Sequence, residues 1–255
     1  MRSALRLSAG GALLLLALLA ASCRPGPGGE EAGLEVARIP FACGESSRYA
    51  LREIDGTPVA EADFEVRCEG GALLLEQSFR PGTGAGSDGG AGHDRSRVVV
   101  DAATLLPLES IRRAAREGEE TSWSAAYAGD PPEVLFREEA GGERSERELR
   151  LRQDAYDNES ALWLWRTLDL SEGYDARYVS VSAVTQRQIT VRLTVARQER
   201  IEVPYGAFDV WRLQVRSGRA TRVAWVAVDP PHQLVQWDNG SEIFRLLSYD
   251  AGSPE

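Results

Sequence analysis

The stretch DPPHQLVQWDNG, residues 229–240, admits two readings, and the choice between them decides what kind of protein this is. In one, His232, flanked by Asp229 and Asp238, is a reaction centre; in the other, the stretch is a strand running into a hairpin. Pro230 and Pro231 restrict φ and favour extended backbone, residues 234–238 alternate, and Asn239-Gly240 is a strong two-residue turn signal. A turn on those residues pairs Trp237 with Glu242 and Val235 with Phe244. His232 then lies at the far end of the strand, where both aspartates cannot flank its ring. A triad or metal centre needs several groups converging at fixed distances, and the second histidine, His93, sits in a glycine run. With no CxxC and no HExxH, the sequence offers no metal site, no catalytic residues and no cofactor motif, and the hairpin reading is adopted.

Working outward, the same alternation recurs about every ten residues with turn residues between, as in an antiparallel sheet. Candidate strands cover 47–54, 59–68, 72–80, 97–101, 110–116, 121–128, 134–138 and 143–151. After one helix they cover 176–183, 188–203, 208–216, 221–228, 234–238 and 243–249. The run PGTGAGSDGGAGH, 81–93, contains GxGxxG, but glycines and His93 follow where a phosphate-binding helix would begin, so it reads as a hairpin tip.

The helix is DNESALWLWRTLDL, capped by Asp157 or Asn158. Ala161, Leu164, Trp165 and Leu168 recur at i, i+3, i+4 and i+7, one apolar stripe to bury against the sheet. Trp163 falls off that stripe and is read either as packing or as a ligand contact. Glu159, Asp169 and Glu172 near this helix are the acids to inspect for a catalytic carboxylate pair.

Asp55-Gly56 is a second two-residue turn signal. A turn there pairs residues whose numbers sum to 111, including Leu51 with Ala60, Tyr49 with Ala62 and, further out, Cys43 with Cys68. That register places the two cysteines opposite one another in a non-hydrogen-bonded pair, within reach of a cross-strand disulfide. The alternative is two buried thiols.

At the N-terminus, Arg2 and Arg6 precede an apolar run from 9 to 21, too short for a bilayer span and suited to an export signal. Leu19-Ala20-Ala21-Ser22-Cys23 resembles a bacterial lipobox, with Ala20 where leucine is preferred. Residues 1–22 are therefore expected to be a lipoprotein signal peptide, Cys23 a lipidated residue and 23–34 a flexible tether, with a single domain over 35–255. Ordinary secretion with an incidental Cys23 is the alternative. Net charge is −10, and removing residues 1–22, with two arginines and no acid, leaves −12. Such a balance argues against nucleic acid as a partner. All 29 basic residues are arginine, which excludes Schiff-base and P-loop lysine chemistry.

With these residues in view, ERIEVPYGAFDVWRLQV and TRVAWVAVDPPHQLVQWDNGSEIFRLLSY resemble the bacterial envelope family called domain of unknown function 3108. Pro204, Gly206, Phe208, Trp211, Trp225, Pro231 and Leu234 carry the match, and DGTPVAEADFEV is similar to the family's first hairpin. Such proteins look like relatives of the lipoprotein-carrier half-barrels LolA and LolB, which implies a curved antiparallel sheet with a helix covering its concave face. The resemblance brings no catalytic residues.

The expectation is an all-β half-barrel with one helix, anchored to the membrane by its N-terminal lipid. Three functions stay open. One is binding of an apolar ligand or lipid, with Trp163, Trp165, Trp211 and Trp225 as cavity walls. Another is an envelope interaction module with a filled core. The third is a carboxylate-dependent hydrolase.

Overall fold

A computed structural model describes residues 33–81, 93–116, 118–152 and 155–253. Residues 33 onward belong to one compact unit, Glu31–Glu255. The signal peptide, Cys23 and most of the glycine run lie outside the described residues. No helix among the described residues is long and apolar enough to cross a membrane.

Among the described residues, fifteen strands form one sheet. The first meander comprises β1 (Ser46–Glu53), β2 (Pro58–Glu69), β3 (Ala72–Pro81), β4 (Asp94–Asp101), β5 (Pro107–Arg116), β6 (Glu119–Ala128), β7 (Glu133–Ala140) and β8 (Glu143–Arg150). The second comprises β9 (Ala155–Asp157), β10 (Asp175–Ser182), β11 (Arg187–Val203), β12 (Gly206–Ser217), β13 (Ala220–Ala227), β14 (Leu234–Asp238) and β15 (Glu242–Asp250). All neighbours are antiparallel except β9 with β10, and the two meanders meet where β15 pairs with β1. The sheet is open, with β8 and β9 at its edges, and not closed into a barrel.

Register shows how the sheet curls. Val98 lies opposite Ser110, Ser110 opposite Ala125 and Ala125 opposite Phe136, so these residues share the concave face. Tyr178 opposite Val191 belongs to the same concave face at the other end, which puts Val179 and Val181 on the convex side of β10. Yet Val179 and Val181 form one buried cluster with Ala125, Val134 and Phe136. The β6–β7 end therefore laps over the outside of β10, as a scroll overlaps itself, and β10 is buried on both faces.

Inside the scroll runs the helical segment, shorter and less regular than the sequence suggests. One α-helical turn, α1 (Ala161–Leu164), lies between 3-10 turns at Asn158–Ser160 and Trp165–Thr167. Asp157 caps it, its side chain accepting from the Glu159 amide at 2.8 Å. The segment is enclosed on several sides, so Trp163, off the expected stripe, is as buried as Trp165, each only 2% exposed. Trp163 packs on Phe64 with centroids 5.4 Å apart, and Trp165 on Trp237 at 4.8 Å.

Both hairpin expectations need correction. At the first turn, the Glu53 amide donates to Thr57 O at 2.9 Å, so Ile54, Asp55 and Gly56 form a three-residue loop with Gly56 at φ 92°. A bulge then skips Val59, between Arg52↔Pro58 and Leu51↔Ala60, and restores the sum of 111. Glu45 and Val66 continue that register, and Cys43 and Cys68 are joined by a disulfide with Cα atoms 5.5 Å apart. At the second turn, Trp237 pairs with Phe244, not Glu242, because the loop is Gly240-Ser241. A displacement of two keeps every side chain on its expected face. Nor are the prolines extended: 229–232 is a tight turn in which the His232 amide donates to Asp229 O at 2.9 Å.

Residues 33–41, partly assigned to a tether, dock on the domain. The Leu34 amide donates to Arg177 O at 2.9 Å, and Leu34 and Phe41 are buried.

Candidate functional site

Between the helical segment and the concave face lies a cleft of about 570 Å³, within the usual range for small-ligand sites. Its floor is apolar: Leu51 from β1, Phe79 from β3, Val191 from β11, Val215 from β12, Trp237 from β14 and Phe244 from β15. These meet because each occupies a concave-face position in the ladder, Trp237 directly opposite Phe244. Ala161, Leu162 and Trp165 of the helical segment form the roof. Leu162 and Phe79 are half-buried and Ile189, at the mouth, is 46% exposed.

Two polar lips border this apolar floor and supply most of the cleft's exposed surface. On one, Arg112 of β5 donates to Asp94 Oδ1 at 2.9 Å and to Glu159 Oε1 at 3.3 Å. Partial burial opposes the guanidinium charge, but the two carboxylates outweigh it and raise its pKa further. Gln77, buried beside them, donates to Glu159 O at 2.5 Å, tying the start of the helical segment to the sheet. The other lip carries Ser217, Arg222, Asn239, Ser241 and Glu242.

Behind the roof, Asp157 is buried at the overlap of the scroll, and Tyr127 of β6 donates to its Oδ2 at 2.5 Å. Burial pushes the Asp157 carboxyl up to about 6 and, with the carboxylate beside it, raises the Tyr127 hydroxyl well above its ordinary value. At the far end of the segment, Arg166 makes a bidentate contact with Glu45, at 2.5 and 3.0 Å, both residues almost fully buried. Tyr249 donates to Glu45 Oε2 at 2.9 Å, and Arg166 also donates to the carbonyls of Pro231 and His232, both at 3.2 Å. Phe41 lies under the guanidinium, 5.1 Å from ring centroid to Cζ.

The residues singled out in the sequence are divided by this geometry. Trp165 lines the cleft and Trp163 fills the core beside it. Trp211, on the face shared with Leu213 and Val215, packs half-buried at the core's margin, outside the cleft. Trp225 lies on the opposite face of its strand from Ala224 and Val226 and is not a cavity wall. Its Nε1 donates to Glu199 Oε1 at 2.7 Å, and the Arg212 guanidinium sits 5.7 Å from its ring centroid. His232 packs at the 229–232 turn with Nδ1 3.2 Å from Ala227 O and Nε2 against Arg38. Of the acids, Glu159 reaches the cleft but is paired with Arg112, while Asp169 and Glu172 are exposed on the following loop. Among the described residues, no three His, Cys, Asp or Glu side chains cluster to hold a metal. Trp237, Phe244 and the Glu45–Arg166 pair carried no sequence signal, since their partners are remote in the chain.

A curled, overlapping antiparallel sheet with a helical roof over a cleft of apolar floor and polar lips defines the class: a barrel-like all-β protein with a half-open interior. The chain belongs to the family described as Protein of unknown function (DUF3108), whose model matches residues 48–245. Among solved structures, it is similar to a β-barrel-like protein of domain of unknown function DUF1849 from Brucella abortus, 11% identical, covering 82% of this chain and 98% of that one with a TM-score of 0.54. That similarity shows the fold. Further matches are a protein with a YmcC-like fold from Bacteroides fragilis (9% identity, 86% and 99% coverage, TM-score 0.28) and a candidate lipoprotein from Parabacteroides distasonis (10%, 86% and 100%, 0.30). No curated protein matches the chain significantly.

Proposed function

We propose that this is a non-catalytic cell-envelope protein, tethered to the membrane by lipid on Cys23, that holds an apolar ligand such as an acyl chain in the concave cleft. The observation that carries the reading is the cleft's floor, a set of apolar side chains from Leu51 to Val215 that faces the helical segment across an open space. The leader and lipobox-like residues 19–23 support the location, as does the Cys43–Cys68 disulfide, a bond that persists in oxidising compartments. The carboxyl of raised pKa, Asp157, is buried behind the roof and faces Tyr127, so it gives no pair of acids confronting one another across the cleft.

A second reading, an interaction module without a small ligand, is favoured by one observation: Trp163 already fills the interior on the Phe64 side. Native and denatured mass spectrometry of residues 24–255, exported to a bacterial periplasm behind an ordinary secretory leader and purified without detergent, separates the two. A stoichiometric apolar molecule released on denaturation supports the ligand reading and identifies the cargo. A bare protein that also takes up no fluorescent fatty acid defeats it.

A further inference from the structure

We infer that the ligand of this cleft is an amphiphile with an anionic end group, a carboxylate or phosphate, held by Arg222; the inference rests on the apolar-ligand reading above. Two arginines border the cleft, and their surroundings differ. Arg112 is committed, with Asp94 and Glu159 both on its guanidinium. Arg222 has no carboxylate within ion-pair distance among the described residues, whereas the outer-face arginines Arg48, Arg67 and Arg192 each have one.

Its placement gives the free cation a direction. Arg222 of β13 is directly opposite Val215 of β12, a buried floor residue, so its side chain leaves from the concave face. From there, the cleft runs inward over Val215, Trp237 and Phe244. The lip around Arg222 adds the hydroxyls of Ser217 and Ser241. Its one acid, Glu242, accepts at Oε2 from Asn239 Nδ2 at 3.4 Å and is not on Arg222. A planar guanidinium suits two-point contact with a carboxylate or phosphate, and here it stands where an apolar tail lying on the floor would end in water.

The test compares oleate, oleyl phosphate and oleyl alcohol binding to delipidated protein, residues 24–255, followed by tryptophan fluorescence, since Trp165 and Trp237 line the cleft. Oleate or oleyl phosphate is expected to bind at least about tenfold tighter than the alcohol, the worth of one hydrogen bond to a charged group. The tighter of the two anions identifies the end group. Arg222→Gln should bring both anions to the alcohol's affinity and leave the alcohol unchanged. Arg216→Gln, on the opposite face of β12, should leave the preference intact. Equal affinity for anion and alcohol in the unaltered protein, or a preference that survives Arg222→Gln, overturns the inference while leaving the apolar cleft standing. Failure of all three probes to bind overturns both.

Discussion

Asp157 is a carboxyl held away from water, with hydroxyl and amide donors beside it but also the Glu159 carboxylate nearby, and its ionisation opposes folding. Its folded pKa, about 6, exceeds the unfolded value of 3.8, so between those pH values the native state binds more protons than the unfolded chain. This residue's contribution to stability is therefore greatest below pH 4 and is lost as pH rises through about 6, a span worth about 3 kcal/mol. Asp55 and Asp101, lowered by hydrogen bonds from Thr57 and Thr104, act in the opposite direction, so the informative quantity is the difference between variants. Asp157→Asn should remove this loss of stability between about pH 4 and 6, so that the difference from wild type grows over that window, levels off above it and leaves the variant more stable at pH 7, read by urea denaturation at a series of pH values. The Arg166–Glu45 pair has the reverse character, because each charge is compensated where it is buried. Arg166→Ala should cost about 3–5 kcal/mol by stranding Glu45. The joint replacement of Arg166 and Glu45 by Met and Leu should recover much of that loss, measured as a double-mutant cycle.

At the level of elements, the disulfide shows how a local error in reading can leave a distant pairing intact. The Asp55-Gly56 loop holds one residue more than its dipeptide signal implies, and the bulge at Val59 cancels the excess before the ladder reaches Val66. Turn type is written in two residues, whereas a bulge depends on how the strand must bend over the core, which no local pattern records. Replacing Cys43 and Cys68 by serine should remove the constraint on a loop with a sequence separation of 25. The expected cost is about 3 kcal/mol, and the Tm should fall by roughly 6–12 °C in a domain of this size. Equal Tm for the reduced and oxidised wild type would contradict it. Strand positions were legible because alternation is a local property, and apart from the Val59 bulge, even the displaced second hairpin kept its faces. The helix was read too long for the opposite reason. An apolar stripe predicts a helix with one wet face, but Trp163, Arg166 and Thr167 are all buried, and enclosure by the scroll dictates the geometry of the segment.

At the scale of the whole molecule, the overlap of the sheet and the lips of the cleft were not legible, since their residues come from nearly every strand and meet only through the curl. Why the scroll does not add further strands is clearer from β8. Its residues 143–148 are all exposed and charged except Ser145, and glutamates and arginines along an open edge discourage pairing with another chain. Converting Arg144, Glu146 and Glu148 to threonine or valine should yield concentration-dependent association, detected by light scattering after size exclusion. The junction of β1 with β15 has a different consequence, one of timing. Every other neighbouring pair of strands is close along the chain, but this seam joins residues about 200 positions apart, Ser46 with Asp250. A polypeptide threaded through an export channel with its amino end leading can form hairpins as it emerges, yet its two halves stay unjoined until residues 242–250 arrive. On the envelope location proposed above, completion of the fold would be deferred to the end of translocation, keeping the chain passable through a narrow channel for as long as passage is required.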